Sequence, residues 1–503
     1  MLPTRGRPSS IPSGQGANVR RSALVLLLLT LSALSAFPET NEPKPLDCTQ
    51  LMAWIAGGVS SPRLQHIVGE RGIGFTPNEA AIKLLIRAGA EPALIRSLRA
   101  THGILASSAN ACPVKLAHAG ELIREKNYDD AKAIIEPLIA SDSRSPSLHF
   151  LMGYIRQQQE NWDQAFDEYS TSRDEMPGSS DTHSRLAYVF YRYDDADNAI
   201  GEARTALSID PTNAEAYRYL GLGLYASHKD AAALHAFQES LAREPNCAEV
   251  YYDMAITLRH KGDSSAAVAA YRNAIALNPQ FWEAYNNLGL LLHDLGKLDD
   301  AIAAYREAKR LAPGEASVRN NLGNTYCDKG DYDSAIAELR ELYRMNPGWE
   351  RGHSCLAKAL LAKGEIQPGI TELRLAIQQN PNGAAEHRVL GQTLLILHQE
   401  EEAVHELRTA VELEPDSPLA HHFLGTALFN SQNFQAAETE FRQAVRLQPS
   451  ASNHYYLAAC LMNLGRYDEA LAELDTAAEM EPSQSLYRAR KEELEKLIKA
   501  GNR

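Results

Sequence analysis

The chain has 503 residues, 44% of them hydrophobic and 23% charged, the proportions of a folded protein, and its 31 Gly and 24 Pro exclude a collagen-like or wholly disordered polymer. A formal net charge of −14 argues against a nucleic-acid backbone as the main partner, because neutralising a polyanion takes clustered Lys and Arg. Length alone would suggest three or four domains, a count that internal repetition overturns.

Residues 1 to 21 are rich in Pro, Ser and Gly and end in Arg20-Arg21, and the next stretch, Ser22 to Phe37 (SALVLLLLTLSALSAF), is apolar with small residues at Ala33, Ser35 and Ala36. This is the pattern of a secretory signal, residues 1–36, cut near Ala36. The rival, an uncleaved anchor, is disfavoured because the run is shorter than the ~20 residues of a spanning helix. Its removal takes away four Arg and no acid, leaving −18 in place of −14. Residues 37–46 read as a linker.

Residues 47–111 read as a small module of about four short helices. Thr76-Pro77-Asn78-Glu79 combines a cap, a proline at the first helical position and an acid, and Gly72 and Gly89 read as helix stops. Cys48 and Cys112 bracket the module and are candidates to clasp its ends, which spacing alone leaves open. Export permits disulfides, but six Cys are no disulfide framework. Cys247, Cys327, Cys355 and Cys460 fall where small apolar side chains pack well and are read as free.

From there the chain repeats. Pro177, Pro211, Pro245, Pro279, Pro313, Pro347, Pro381, Pro415 and Pro449 are each 34 residues apart, and Pro482 follows after 33. Twelve residues before each proline stands a small residue, as in Ala165, Ala301 and Gly369, and 24 before it another, as in Gly153, Ala255 and Gly425. Eight before the proline there is usually a bulky one, such as Tyr271, Tyr305, Leu339 or Phe441. The apolar period is helical, and two helices of roughly 12 to 14 residues fit in each unit. Gly262, Gly296, Gly330 and Gly465 fall at the turn between them. The small columns let two antiparallel helices approach closely.

The segment WEAYNNLGLLLHDLGKLDDAIAAYREAKRLAPG, from Trp282 to Gly314, resembles the tetratricopeptide repeat (TPR) family, and the match runs from Pro146 to Gln484. Cys112 to Ser145 carries Ala119, Tyr128, Ala131 and Ile135 at the proper offsets, with Ser143 in place of the proline, and makes an eleventh unit. The resemblance implies an all-α, right-handed superhelical solenoid of about eleven TPR helix-turn-helix repeats over 112–484, with a C-terminal capping helix over 485–503.

The chain contains no HExxH, GxSxG, GxxxxGK[ST] or paired CxxC, and too little of it lies outside the repeats to hold a catalytic domain, so no enzyme, cofactor or metal is expected. Twenty-eight residues before the proline, where Tyr217, Tyr251 and Tyr285 stand, the chain also places His149, His183, His353, His387, His421 and His454. They read as packing substitutes for the aromatics, with a metal or pH-sensing ladder as the sharper alternative. Asn286, Asn287, Asn320, Asn321 and Asn324 lie on first helices, which line the concave face in this family. Their pattern resembles the asparagine ladder with which the repeat superhelix of O-linked N-acetylglucosamine transferases holds peptide backbone, though plain consensus text accounts for it too. Arg351, Lys358 and Arg388 add a local basic spot without forming the family's full carboxylate clamp, and solvated surface charge is the bland reading. The expected function is therefore an exported, periplasmic or secreted, scaffold that binds a protein or peptide on its concave face. The alternatives are a structural connector in an envelope assembly such as polysaccharide export, and a regulatory or substrate-binding subunit of a separate enzyme.

Overall fold

The computed structural model describes residues 44–101 and 112–501; the expected leader over 1–36, most of the linker and the last two residues lie outside them. The described residues form 27 α-helices, and their one extended contact is a single parallel bridge between Leu46 and Ile73. No described helix is long and apolar enough to cross a membrane.

Four short helices come first: α1 (Cys48–Ala56), α2 (Ser61–Arg71), α3 (Glu79–Ala88) and α4 (Pro92–Ala100). Asp47, Ser60 and Asn78 cap the first three through their side chains, satisfying amides that a helix start leaves without partners. The cap of α3 is thus Asn78, two residues later than expected. Pro77 lies outside the helix, in a tight turn where the Asn78 amide donates to the Thr76 carbonyl at 2.8 Å. Gly72 and Gly89 end α2 and α3 with φ of 67° and 119°. Cys48 is joined to Cys112 by a disulfide with Cα atoms 5.1 Å apart, tying α1 to the entrance of the repeats.

Eleven antiparallel pairs follow. They are α5 (Val114–Arg124) with α6 (Tyr128–Ser141), α7 (Pro146–Gln158) with α8 (Trp162–Glu175), α9 (Ser180–Arg192) with α10 (Ala196–Ile209), α11 (Ala214–Ala226) with α12 (Asp230–Arg243), α13 (Ala248–His260) with α14 (Ser264–Leu277), and α15 (Trp282–Asp294) with α16 (Leu298–Leu311). The rest are α17 (Ala316–Lys329) with α18 (Tyr332–Met345), α19 (His353–Ala362) with α20 (Ile366–Gln379), α21 (Ala384–Ile396) with α22 (Glu400–Leu413), α23 (Pro418–Asn430) with α24 (Phe434–Leu447), and α25 (Ala451–Asn463) with α26 (Tyr467–Met480). The last helix, α27 (Ser485–Gly501), covers the final pair, burying Tyr487 and Leu494.

The two small columns have different partners. In the first helix, Gly153, Gly221, Gly289 and Gly425 lie under the rings of Tyr169, Phe237, Tyr305 and Phe441 from the second helix, and Gly323 and Gly391 lie under Leu339 and Leu407. A methyl group added at Gly221 would come within 2.5 Å of the Phe237 ring, so the glycine is what lets that pair close. The second-helix column, including Ala165, Ala199, Ala301 and Ala437, is fully buried. Every turn between the two helices of a unit uses one left-handed residue. It is glycine at 262, 296, 330, 364 and 465, but Lys126, Glu160, Asp194, His228, His398 and Gln432 elsewhere, with φ of 55° to 60°.

The module folds back onto the early repeats. The end of α1 puts Gly57 against the Phe150 ring and Gly58 against Tyr154. Arg63 of α2 donates to Asp181 at 3.2 Å and also bonds Asp210, while Arg185 of α9 donates to the carbonyls of Gly57 and Gly58 at 3.3 and 3.1 Å. Asp181 is only 3% exposed, so its charge depends on Arg63.

Gly221→Ala is expected to lower stability by ~1 to 3 kcal/mol, whereas Gly314→Ala, with nothing within 4 Å, is expected to change it little; urea unfolding of the two variants compares them. Arg63→Ala leaves buried carboxylates without a counter-ion, a loss of roughly 3 to 5 kcal/mol, read as faster hydrogen exchange in α1 and α2 than in the parent.

Candidate functional site: the concave face

First helices of successive repeats pack directly on one another, as α9 on α11, α15 on α17, α17 on α19 and α23 on α25, while no two second helices pack comparably among the described residues. The first helices therefore form the inner wall of the curve. At its N-terminal end the module already fills it: Phe150, Tyr154 and Arg185 meet the Gly57-Gly58 turn, and Ser60 bonds Glu244.

Along this wall several basic side chains are matched by an acid of the next repeat, whereas Arg192 of α9 lies over the Trp162 ring. Arg185 pairs with Glu215 at 3.2 Å, Arg218 with Asp253 at 2.6 Å and Arg259 with Asp294 at 2.7 Å, and His293 donates to Asp328 at 3.0 Å. There the series ends. Arg351, Lys358 and Arg388 make no ion pair or side-chain hydrogen bond among the described residues; Arg351 and Lys358 are exposed and Arg388 half-buried. This leaves three cations without ion pairs on the eighth and ninth repeats, with Glu350 and Glu386 lining the same recess as Arg351.

The asparagines precede that stretch and are linked. Asn287 Nδ2 donates to the Tyr252 hydroxyl at 2.8 Å, Asn321 Nδ2 to Asn286 Oδ1 at 3.1 Å, and Asn286 Nδ2 to Asn287 Oδ1 at 3.4 Å. Asn320 turns into the packing instead: it is 7% exposed, and its Oδ1 faces Gly352 without a hydrogen-bond donor, as Asn324 Oδ1 also lacks one. Beside them the repeat pattern is broken. The chain Trp349-Glu350-Arg351-Gly352 stays out of α19, whose first turn is missing because Gly352 has a φ of 98°. The recess this opens, about 350 Å³, is lined by Arg351, Ser354, Gln379 and Glu386 among others. Beyond it Phe423, Tyr455 and Tyr456 make a half-buried aromatic surface, a feature of the wall that the sequence reading passed over.

The six histidines occupy the tyrosine positions, as expected, but they do more than pack. Each Nδ1 donates to the glutamate 19 residues on, His149 to Glu168, His183 to Glu202, His353 to Glu372, His387 to Glu406, His421 to Glu440 and His454 to Glu473, at 2.5 to 2.6 Å. In His149, His183, His387 and His421 the other nitrogen faces a backbone carbonyl six residues back at 2.9 to 3.1 Å. Each ring is thus engaged inside its own repeat by a glutamate of the partner helix, an arrangement of separate pairs and not a shared metal ladder. The residue pattern carried this signal: where the chain has Tyr217, Tyr251 and Tyr285 it has Ala236, Ala270 and Ala304 19 residues on, and Arg319 with Glu338 obeys the histidine rule at 3.0 Å. One other grouping, His66, Glu70 and Asp210, brings three metal-type ligand atoms within 4.8 Å, but Arg63 bonds Asp210 and holds the place of a cation.

This architecture defines a helical-repeat solenoid whose first helices form one wall. Models described as Tetratricopeptide repeat match residues 252–316, 389–452 and 424–485, and a further one matches 316–348. Over these residues the chain is built of tetratricopeptide repeats. No curated protein matches it. Among solved structures it is similar to MamA, at 26% identity over 32% of this chain and 95% of that one with a TM-score of 0.30. It is also similar to YrrB, described as a TPR protein with an unusual peptide-binding site, at 21% identity over 39% and 97% with a TM-score of 0.31. Pseudomonas aeruginosa pilF is a third, at 19% identity over 44% and 97% with a TM-score of 0.36.

The bond to Glu168, opposed by burial and aided by the Ser143 carbonyl, raises the His149 imidazole above its ordinary range. A raised folded value contributes stability that is complete below the unfolded pKa of about 6.5 and is lost as pH climbs through the folded value. The stability gap between the parent and Glu168→Gln is expected to be widest near pH ~5.5 and to shrink toward pH ~8; denaturation at both pH values checks it, and a gap that widens with pH contradicts it.

Proposed function

We propose that the chain is an exported scaffold that holds an extended segment of a partner protein along the open part of its inner wall, from the fifth to the ninth repeat. The observation that carries this reading is the end of the charge pairing: Arg351, Lys358 and Arg388 stand without acids immediately after a run of side-chain amides. Amides both donate and accept and so match peptide backbone. Unpaired cations match a carboxylate on the same segment, and the acidic surroundings of the chain make that match local. The aromatic surface of the tenth and eleventh repeats extends the same wall for an apolar side chain. Export is supported by the leader pattern over residues 1–36 and by the Cys48–Cys112 disulfide, a bond that persists in oxidising compartments.

Capture from native envelope extract with residues 37–503 tests the reading, beside a chain carrying Arg351→Glu, Lys358→Glu and Arg388→Glu and another carrying Asn287→Ala, Asn321→Ala and Asn324→Ala. The charge reversal is expected to weaken retention of the captured partner by roughly tenfold or more and to abolish its salt dependence, and the amide variant to weaken it with the salt dependence intact. Equal retention by all three chains would place the partner elsewhere and remove the basis of the proposal.

A further inference from the structure

Two thiols meet on the inner wall between the seventh and eighth repeats. Cys327, near the end of α17, directs its Sγ to the carbonyl oxygen of Cys355 at 3.4 Å, and Cys355, in the first turn of α19, directs its Sγ to the carbonyl oxygen of Gly323 at 3.7 Å. Each sulfur lies against the backbone of the helix that carries the other. The remaining repeat cysteines differ: Cys247 Sγ donates to Glu249 at 3.3 Å, and Cys460 is fully buried in the C-terminal core.

The backbone explains the approach. With the first turn of α19 missing, Gly352 lies so close to α17 that a Cβ there would be 2.9 Å from Asn320 Oδ1, and α17 and α19 pack directly on each other. Access is unequal, since Cys327 is 3% exposed and Cys355 half-buried. The side chain of Cys355 holds the Cys327 thiol below its ordinary range against the opposing effect of burial, with Lys358 adding to the lowering; the Cys327 side chain and burial push Cys355 up. A disulfide needs Cβ atoms about 3.5 to 4.5 Å apart, and here each thiol already reaches the backbone of the helix that carries the other.

We propose that Cys327 and Cys355 are a reversible oxidation site that closes to an α17–α19 disulfide when a small-molecule disulfide reaches the half-exposed Cys355. Cys355, losing its proton, attacks one sulfur of the oxidant RSSR, forming a Cys355–S–S–R bond and expelling RS⁻ with the electron pair of the broken bond. Cys327, deprotonated in turn, attacks Cys355 Sγ and expels the second RS⁻. The two thiol protons end on the two leaving thiolates, so two protein thiols and one RSSR give one protein disulfide and two RSH. Closure pins the first helix of the eighth repeat to that of the seventh beside Asn324 and Lys358. The site stands whether or not the wall binds a peptide.

The test uses the full chain with its Cys48–Cys112 bridge in place, exposed to glutathione buffers stepped from reduced to oxidised, then blocked with N-ethylmaleimide under denaturing conditions and mapped by mass spectrometry. Cys327 and Cys355 are expected to lose their alkylation together and appear as one cross-linked peptide, reopening in the reduced buffer, while Cys247 and Cys460 stay alkylated throughout. In a Cys327→Ser chain, Cys355 is expected to stop as a mixed disulfide with glutathione. The proposal is overturned if both thiols of the parent remain alkylated at the most oxidising step, or if Cys355 of the parent holds glutathione without closing onto Cys327.

Discussion

The solenoid rests on one recurring contact, a bulky side chain of the second helix laid on a small residue of the first, as at Gly153, Gly221, Gly289, Gly323, Gly391 and Gly425. Where that residue is glycine the ring sits in the space a methyl group would fill, as Phe237 does over Gly221. Burial of such a ring is a large apolar contribution, and it is obtained only if the helices close to that distance. Closure in turn fixes which faces are left over. The first helices press on their neighbours and become the inner wall.

What differs between repeats is then written on that wall. In the early units the module occupies it, held by the buried Arg63 network and by Arg185 against the Gly57-Gly58 turn. In the middle units cations and acids cancel between repeats, and asparagines and Tyr252 bond one another. At the eighth and ninth units Arg351, Lys358 and Arg388 make no ion pair, and there α19, which follows Arg351 and carries Lys358, has also lost its first turn. The same break brings Cys327 and Cys355 together, so one irregularity in an otherwise periodic chain supplies recess, charge and thiols at one place.

The prolines, the small columns and the glycine turns were enough to read the helical pairs, because each records a local constraint that recurs at fixed spacing. The turns also show the limit of that signal: six of them place a non-glycine residue such as Glu160 or His398 in the left-handed region, where composition gives no warning. The histidine–glutamate pairs were legible as a pairing rule, His with Glu and Tyr with Ala at the same offset, once each position is compared with its partner helix instead of its own column. The docking of the module was not legible, since Arg63 meets Asp181 across 118 residues and no periodicity links them. Asn320 read as a wall residue from its column, yet Gly352 draws it into the packing, a shift that a repeat-by-repeat comparison of columns does not reveal.

The central claim is that binding takes place on the open part of the inner wall and not on the module or the outer helices. Hydrogen–deuterium exchange of the full chain, free and with its captured partner, tests this most directly. New protection is expected in α13, α15, α17, α19 and the start of α21, with α1, α2 and the second helices unchanged. Protection confined to second helices, or to the module, would contradict it.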